Sequence, residues 1–324
     1  MAKRRYSKKG SKIQPSILTM TFASSTSGAS TEFIDLSQVA SIMNRRFYRQ
    51  GINWAVAGFK FSSLKSGTIN VSKLPNTWVM SNAWEKAFRA WQRQQNEALD
   101  DGTQESVRAK FNDFKIYADA DHLSSGVANN LMPVSIDVGA VASTALPGEW
   151  EPSQIVIPNY QAPGVNYEPY LTAVGDDVGG IGGSISLIKA YQSSRSVPQS
   201  PDPAIPPGIL SNENFLSMMF DVGDNNEDIM DNVVGKNDEL PYVQNEYPGG
   251  PIQLVGLEWH DFAQIYNTSA TTNVGIANVK GGNFPCGLMR FDWIPSDTTS
   301  NIRIQIDLVP GTHRGYLAEP MTEM

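Results

Sequence analysis

The residues best suited to chemistry are basic side chains crowded into residues 1–12 (MAKRRYSKKGSK), a segment without a single acid. They carry a charge of +6, whereas the rest of the chain has 19 basic and 33 acidic residues. Lysine and arginine displace condensed counterions from phosphates, which gives salt-sensitive attachment to nucleic acid without base specificity. A basic tail on an acidic body is typical of a nucleic-acid-binding arm. The predicted nucleic-acid-binding residues are Lys3, Arg4, Arg5, Lys8, Lys9 and Lys12.

Other roles for this arm remain open from the sequence. A basic cluster of this size can also act as a nuclear import signal, or simply keep the chain end soluble. Six charges would offset only part of an enclosed nucleic acid, so Arg45, Arg46 and Arg49, or counterions, would have to contribute. Because residues 1–15 lack apolar periodicity, we expect a flexible arm that ends near Pro15.

Motifs of common enzyme classes are missing where their spacing can be tested. Gly235-Lys236 is followed by Asn237 and lacks the preceding glycine of a phosphate-binding loop. The glycine-rich run 179–183 has Ile185 where a dinucleotide-binding fingerprint needs its third glycine. We therefore expect a protein that is not an enzyme and binds no cofactor. The histidines are scattered, at His122, His260 and His313.

Two acidic groups could in principle bind a metal. Asp119, Asp121 and His122 form a short cluster, and the acidic set of segment 221–231 could hold calcium between subunits, although its spacing does not match an EF-hand loop. Solvated acidic loops are far more common than closed coordination cages, so no metal site is predicted. The single cysteine, Cys286, cannot form a disulfide within the chain.

Glycine and proline are frequent (27 and 20 residues) and helical periodicity is rare, which favours strands joined by turns. The clearest strand is 302–309, where apolar and polar residues alternate strictly. Gly58 suggests a bulge, and Lys65-Ser66-Gly67 suggests a hairpin turn that would pair the strands on either side of it. The predicted strands are 18–22, 52–61, 68–72, 111–118, 154–157, 184–190, 215–220, 252–262, 288–294 and 302–309.

One helix is predicted, inserted between strands. It should begin near Ser81 or Asn82, with Glu85 completing a capping box, and end at Asp100-Asp101-Gly102. Its aromatic residues could stack on bases, but their helical spacing makes packing against the core the better interpretation. The stripe consists of Trp84, Ala87, Phe88, Trp91 and Ala98.

These elements predict an all-β protein with two parts. Residues 1–15 form the flexible basic arm, and residues 16–324 form a single jelly-roll sandwich with long loops and one inserted helix. The expected long loops are 123–151, 196–208 and 221–239. The apolar stretch 17–23 is short and interrupted by threonines, so neither a secretion signal nor a membrane partner is expected.

Three segments resemble smacovirus-type capsid proteins: the basic start MAKRRYSKKGSK, the stretch 282–288 (GNFPCGL) and the stretch 308–316 (LVPGTHRGY). This resemblance implies a jelly-roll subunit that assembles with copies of itself into a small icosahedral shell. It also implies that the arm faces inward onto a circular single-stranded DNA genome. The expected location is the virion, with the host nucleus and its import machinery as further candidates during assembly. The arm is shorter than the arginine-rich arms of related viruses.

Three alternatives stay open. A capsid protein of a positive-strand RNA virus would share both fold and arm. A jelly-roll carbohydrate-binding module would use exposed tryptophans, such as Trp150, to line a ligand groove. A metal-dependent enzyme on a cupin-like sandwich ranks last, because it needs clustered histidines.

Overall fold

A computed structural model describes residues 15–26, 28–100, 113–136, 142–158, 166–179, 182–196, 260–267, 274–296 and 300–324. Eight strands form two curled antiparallel sheets and are numbered in chain order. They are β1 (Thr19–Thr26), β2 (Ser30–Asp35), β3 (Ile52–Ser63), β4 (Gly67–Lys73), β5 (His260–Asn267), β6 (Gly275–Phe284), β7 (Leu288–Pro295) and β8 (Ser300–Leu308). The expectation of a β-rich chain is confirmed.

The two sheets have nested pairing. One sheet has the order β1-β8-β3-β6, with the short strand Ala318–Pro320 also paired to β3, and the other has the order β5-β4-β7-β2. The first strand thus pairs with the eighth, the second with the seventh, the third with the sixth and the fourth with the fifth. The two sheets share one core of aromatic and aliphatic side chains, which includes Phe22, Trp54, Phe61, Val71, Phe291 and Ile304.

Strict alternation in β8 has the predicted consequence. Ile302, Ile304, Ile306 and Leu308 are buried, whereas Arg303 on the opposite face is exposed. A bulge is confirmed beside Gly58, because the register of β3 against β8 shifts at that point.

The predicted pairing across the turn at Lys65-Ser66-Gly67 is wrong. Strand β3 lies in one sheet and β4 in the other, so the turn carries the chain between sheets. Both strands have a strongly apolar face, represented by Phe61 in β3 and Val71 in β4, and both side chains are fully buried. Placing these faces opposite each other removes both from water, which pairing within a single sheet would not do.

The prediction of one helix is also wrong, because four α-helices occur within the described ranges: α1 (Leu36–Asn44), α2 (Trp78–Asp100), α3 (Ala120–Ser125) and α4 (Leu187–Ser196). Helix α1 and strand β2 were not predicted. The predicted strand 184–190 is a strand only over Ser184–Ser186 and then becomes α4. None of the helices in these ranges is both long enough and apolar enough to cross a bilayer.

Helix α2 begins earlier than predicted, at Trp78. The capping box is therefore wrong: Thr77 Oγ1 accepts a hydrogen bond from the backbone N of Met80, and Glu85 pairs instead with Arg89. Met80 is fully buried, so core packing extends the helix beyond the expected cap. Trp84, Ala87, Phe88 and Trp91 of the predicted stripe pack inward with a second apolar cluster that includes Ile155, Leu171 and Ile188. Ala98 is exposed, so this part of the prediction is wrong.

The remaining elements are short. The predicted strand 111–118 has only an isolated bridge at Tyr117 within its described part, and 154–157 has a bridge at Gln154 and the start of a two-residue strand. The predicted strand 215–220, most of 252–262 and nearly all of the loops 196–208 and 221–239 lie outside the described residues. Short strands are Val134–Ile136, Ala142–Thr144, Ile157–Pro158, Asn166–Tyr167, Tyr170–Thr172, Ser184–Ser186, Pro310–Gly311, Gly315–Tyr316 and Ala318–Pro320, and the 3-10 helices are Val127–Asn129, Pro285–Gly287 and Met321–Glu323.

Candidate nucleic-acid interface

All six predicted nucleic-acid-binding residues, Lys3, Arg4, Arg5, Lys8, Lys9 and Lys12, lie outside the described residues. The first described residues, 15–17, are attached to the folded body, and we call them the arm root. Arg46 Nη1 donates a hydrogen bond to the Pro15 carbonyl (2.9 Å), and Ser16 Oγ donates to the Gly315 carbonyl (3.2 Å). The arm therefore leaves the body between the end of α1 and the short strand Gly315–Tyr316.

Ile17 completes the arm root through two further bonds. Its backbone N donates to Asn44 Oδ1 (3.0 Å), and its carbonyl accepts from Tyr316 Oη (2.6 Å). Asn44 Nδ2 also donates to Tyr316 Oη (2.7 Å), so the two side chains hold one another. The Tyr316 ring is fully buried against Tyr48 and Trp54, and this burial raises the pKa of its hydroxyl. The origin of the arm is thus fixed to the aromatic core.

Arginines follow the end of α1, next to this root: Arg45, Arg46 and Arg49, which were expected to add charge against nucleic acid. Helix α1 ends at Asn44, and Arg45 caps it. The left-handed backbone of Arg45 (φ 52°) turns the chain, and its N–H bonds to the Ser41 carbonyl. Arg45 and Arg49 are exposed, and Arg46 bonds to the arm root. Arg314 joins them from the C-terminal region, because its guanidinium donates to the Phe47 carbonyl.

Beside the arm root lies a cleft of about 370 Å³, which we call the aromatic cleft. Four aromatic side chains line it, Phe47, Trp84, Phe88 and Phe114, together with the cationic side chains of Arg49 and Arg314. None of the described residues that line it is acidic. His313 also lines it; burial, and then the neighbouring Arg314, lower the pKa of His313, so its ring is neutral near pH 7.

The walls of the cleft are part of the apolar core. Trp84 stacks on Phe88, with ring centroids 5.2 Å apart and planes 15° apart, and Phe114 contacts both rings at 5.6 and 5.7 Å. Only 6% of Trp84 is exposed, which confirms the predicted core packing. Its buried indole Nε1 has no hydrogen-bond acceptor among the described residues. No sequence signal groups Phe47, Phe114 and Arg314 with this stripe, because they come from separate segments.

Asp119 and Asp121, considered above as metal ligands, instead bind a guanidinium. Arg290 Nη1 contacts Asp119 Oδ2 at 2.8 Å and Asp121 Oδ2 at 3.0 Å. The other Asp119 oxygen caps α3 by accepting from the backbone N of His122 (2.8 Å). Within the described ranges, no group of three histidine, cysteine, aspartate or glutamate residues could hold a metal ion. The acidic set of segment 221–231 lies outside those ranges.

The ring of His122 is committed to structural bonds. Nδ1 accepts from the backbone N of Ala118 (3.0 Å), so Nε2 carries the proton that it shares with Asn130 Oδ1 (2.8 Å). Burial lowers the pKa of His122 to about 4, and Phe33 stacks on the ring with centroids 4.5 Å apart. His260 lies in β5 and His313 lines the aromatic cleft, so the three histidines occupy three different regions.

Asp35 is a buried carboxylate that the sequence analysis missed. It accepts hydrogen bonds from the backbone N atoms of Ser37 (2.8 Å) and Gln38 (3.3 Å), and from Gln50 Nε2 and Trp150 Nε1 (both 3.0 Å). Burial raises the pKa of Asp35 to about 6, and these donors only partly offset that effect. Two of these donors are the first amides of α1, which Asp35 caps, and the other two come from more distant parts of the chain, so Asp35 ties α1 to the rest of the body.

Comparisons with family models, with curated proteins and with solved structures found no match to this chain. Function is therefore inferred from the sequence and from the described residues. The most suggestive feature is the aromatic, cationic cleft at the point where the basic arm leaves the body.

Proposed function

We propose that this chain is a viral capsid protein. Many copies assemble into an icosahedral shell that encloses a circular single-stranded DNA genome, and the basic arm contacts that nucleic acid. The protein belongs to the virion and passes through the host nucleus during assembly, with the import machinery as a transient partner. In this proposal the body is a single jelly roll and has no enzymatic activity.

The observation that carries the proposal is the nested strand pairing. A jelly roll consists of eight strands in two antiparallel sheets, wound so that the first strand pairs with the last and each inner strand with its counterpart. The pairs β1–β8, β2–β7, β3–β6 and β4–β5 correspond to this pattern. Viral capsid and lectin domains share this architecture, so the fold alone leaves both classes open.

The arm favours the capsid class. Six cations in residues 1–12 precede a body that carries −14, and the arm root fixes the point from which they extend. Assembly places one such arm on every subunit, which concentrates positive charge on an enclosed polyanion. A carbohydrate-binding module has no evident use for a segregated cationic arm.

The position of Trp150 weakens the carbohydrate-binding alternative. Its indole N–H is bonded to Asp35, and Lys115 Nζ lies 4.2 Å from the ring centroid. A sugar that stacked on this face would have to displace the ammonium of Lys115, which also pairs with Asp113 at 2.6 Å. The RNA-virus alternative shares every feature of the body and differs only in the enclosed polymer.

Electron microscopy of the purified protein tests assembly, and the ultraviolet absorbance ratio of the same fractions tests packaging. We expect uniform closed particles that contain nucleic acid. Replacing the six arm cations with glutamine should lower the nucleic acid content and leave the fold unchanged, whereas exchanging each lysine for arginine and each arginine for lysine preserves the charge and should preserve packaging. A stable monomer under all salt and pH conditions would contradict the proposal. Nucleic acid extracted from particles of a natural infection is treated with deoxyribonuclease or with ribonuclease. The enzyme that degrades it distinguishes a DNA genome from an RNA genome.

A further inference from the structure

We infer that the aromatic cleft binds one unstacked base of a single-stranded nucleic acid, with the adjoining phosphate held by Arg49 and Arg314. The inference deepens the proposed function and depends on it only for the source of the polymer. It assigns base contact to the folded body, whereas the arm contributes charge alone.

The composition of the lining is that of a single-strand binding site. Proteins that hold single strands without sequence preference combine cationic side chains along the backbone with aromatic rings on which bases stack. Phe47, Trp84, Phe88 and Phe114 provide rings, and Arg49 and Arg314 provide cations. The volume of about 370 Å³ lies within the range of roughly 300–1,000 Å³ typical of small-ligand sites.

The accessible rings of the cleft are those of Phe47 and Phe88, which are only partly buried. Trp84 forms the rigid wall behind them: it is 94% buried, and its indole nitrogen is closed to solvent. Gly51 leaves room for this indole, since a Cβ at that position would lie 2.2 Å from Trp84 Cζ2. A base that enters the cleft therefore meets aromatic surface that the core keeps in place.

The arm root lies next to the cleft, which favours nucleic acid over a neutral aromatic ligand. Ser16 Oγ bonds to the Gly315 carbonyl, and Gly315 directly follows Arg314 in the lining of the cleft. Tyr48, whose hydroxyl donates to the Arg314 carbonyl (3.0 Å), lies between Phe47 and Arg49 in the chain. None of the described residues that line the cleft is acidic, so the lining does not repel a strand that the arm attracts.

Cross-linking and binding measurements on the full-length chain test this site. Binding is measured with a short oligothymidylate and with an abasic oligonucleotide of equal length. For cross-linking, bromodeoxyuridine replaces thymidine in the first probe, the complex is irradiated with ultraviolet light, and the modified peptide is identified by mass spectrometry. We expect cross-links at Trp84 or Phe88. Phe88→Leu should weaken oligothymidylate binding about 5- to 150-fold, the usual loss for one stacked base, and leave binding of the abasic probe unchanged. Arg49→Gln should weaken both probes.

Matched controls separate this result from general damage. Trp91→Leu removes a ring of the same helical stripe that does not line the cleft, and Arg89→Gln removes an exposed cation elsewhere on α2. Equal affinity for both probes, equal effects of Phe88→Leu and Trp91→Leu, or cross-links only to a second copy of the chain would overturn the inference. Particles that package nucleic acid without a cross-link in the cleft would refute this inference alone. Cross-links in the cleft of a protein that never assembles would refute the capsid proposal alone.

Discussion

Three consecutive hydrogen bonds, which pass through Asn130 and Gln38, connect His122 to Asp35. His122 Nε2 donates to Asn130 Oδ1 (2.8 Å), Asn130 Nδ2 donates to Gln38 Oε1 (2.9 Å), and the backbone N of Gln38 donates to Asp35 Oδ1 (3.3 Å). All four residues are buried. Two ionisable groups thus share one network between α1 and α3, and burial favours the neutral form of both, which shifts their pKa values in opposite directions.

The pKa of Asp35 rises from 3.8 to about 6, so the folded state binds its proton more tightly than the unfolded state. The resulting stability is present below pH 3.8 and is lost as the pH rises through 6. The pKa of His122 falls from 6.5 to about 4, so its contribution is present above pH 6.5 and is lost as the pH falls through 4. Each shift corresponds to about 3 kcal/mol, and the two dependences oppose each other between pH 4 and 6.

Asp35→Asn should expose the contribution of His122. Without the titrating carboxylate, the free energy of unfolding should fall by about 3 kcal/mol more than in the unaltered protein as the pH decreases from 6.5 to 4. A further, pH-independent loss is expected because the Asn amide cannot accept all four hydrogen bonds. Urea denaturation of dissociated subunits at a series of pH values measures the slope. Asp307→Asn, on the outer face of β8, is the control, and an Asp35→Asn slope equal to that of the unaltered protein would disprove the assignment.

Tyr316→Phe should loosen the arm root. The change removes the hydroxyl that donates to the Ile17 carbonyl and accepts from Asn44; both partners are partly exposed, so water can replace the hydroxyl and the loss is about 0.5–1.5 kcal/mol. Limited proteolysis should then cleave the chain before β1 faster than in the unaltered protein. Tyr170→Phe, in the short strand Tyr170–Thr172, is the matched control. Unchanged cleavage in Tyr316→Phe would show that these bonds do not hold the arm.

Gly281→Ala should destabilise the first sheet. A Cβ at this position of β6 would lie 1.7 Å from the Val56 carbonyl oxygen in β3, so the two strands would have to separate. Overpacking of this kind typically costs about 1–3 kcal/mol, which thermal denaturation of subunits detects. At Gly28 an added Cβ meets no atom within 4 Å, so Gly28→Ala should leave the melting temperature nearly unchanged. Equal melting temperatures for the two variants would contradict the close approach of β6 to β3.

Ile294→Asp should reduce assembly without unfolding the subunit. Ile294 is 52% exposed and lies near the turn between β3 and β4, where Leu64 and Ile276 are 56% and 58% exposed. Apolar side chains grouped at one end of a sandwich are typical of subunit contacts. We expect fewer particles by size-exclusion chromatography at an unchanged melting temperature. Leu146→Asp, at an exposed apolar residue beside the Pro147 carbonyl that bonds to Gln38, should assemble normally; full assembly of Ile294→Asp would exclude this end as a contact.

The strands with strict alternation could be predicted because period-two burial leaves a direct trace in the sequence, as in β8. Strand β2 could not, since only its second half is buried and its first half resembles a polar loop. Helix α1 was missed because it is short and buries Ser37 and Gln38, so its inner face does not look apolar. The predicted strand 184–190 is apolar enough for a strand or a helix, and periodicity alone does not separate a buried strand from a buried helix.

The candidate site divides in the same way. Segregated charge predicted the arm, whose cations lie outside the described residues, and one of the arginines expected to add charge, Arg46, bonds to the arm root. The aromatic cleft could not be predicted, because Phe47, Trp84, Phe114 and Arg314 meet only after both sheets and α2 have packed together. The burial of Asp35 was missed for the same reason, since the side chains of Gln50 and Trp150 reach it from distant parts of the chain, whereas the capped amides of Ser37 and Gln38 are local.

Nested strand order also restricts when a newly made subunit can mature. Thr19 of β1 bonds to Asp307 of β8, 288 residues further along the chain, so the first strand to leave the ribosome is among the last to find its partner. Such distant pairing makes folding slow, and until then an open strand edge invites aggregation. A prematurely terminated chain would lack β8 and the Gly315–Tyr316 anchor, so truncated translation products could not fix the arm root to the body.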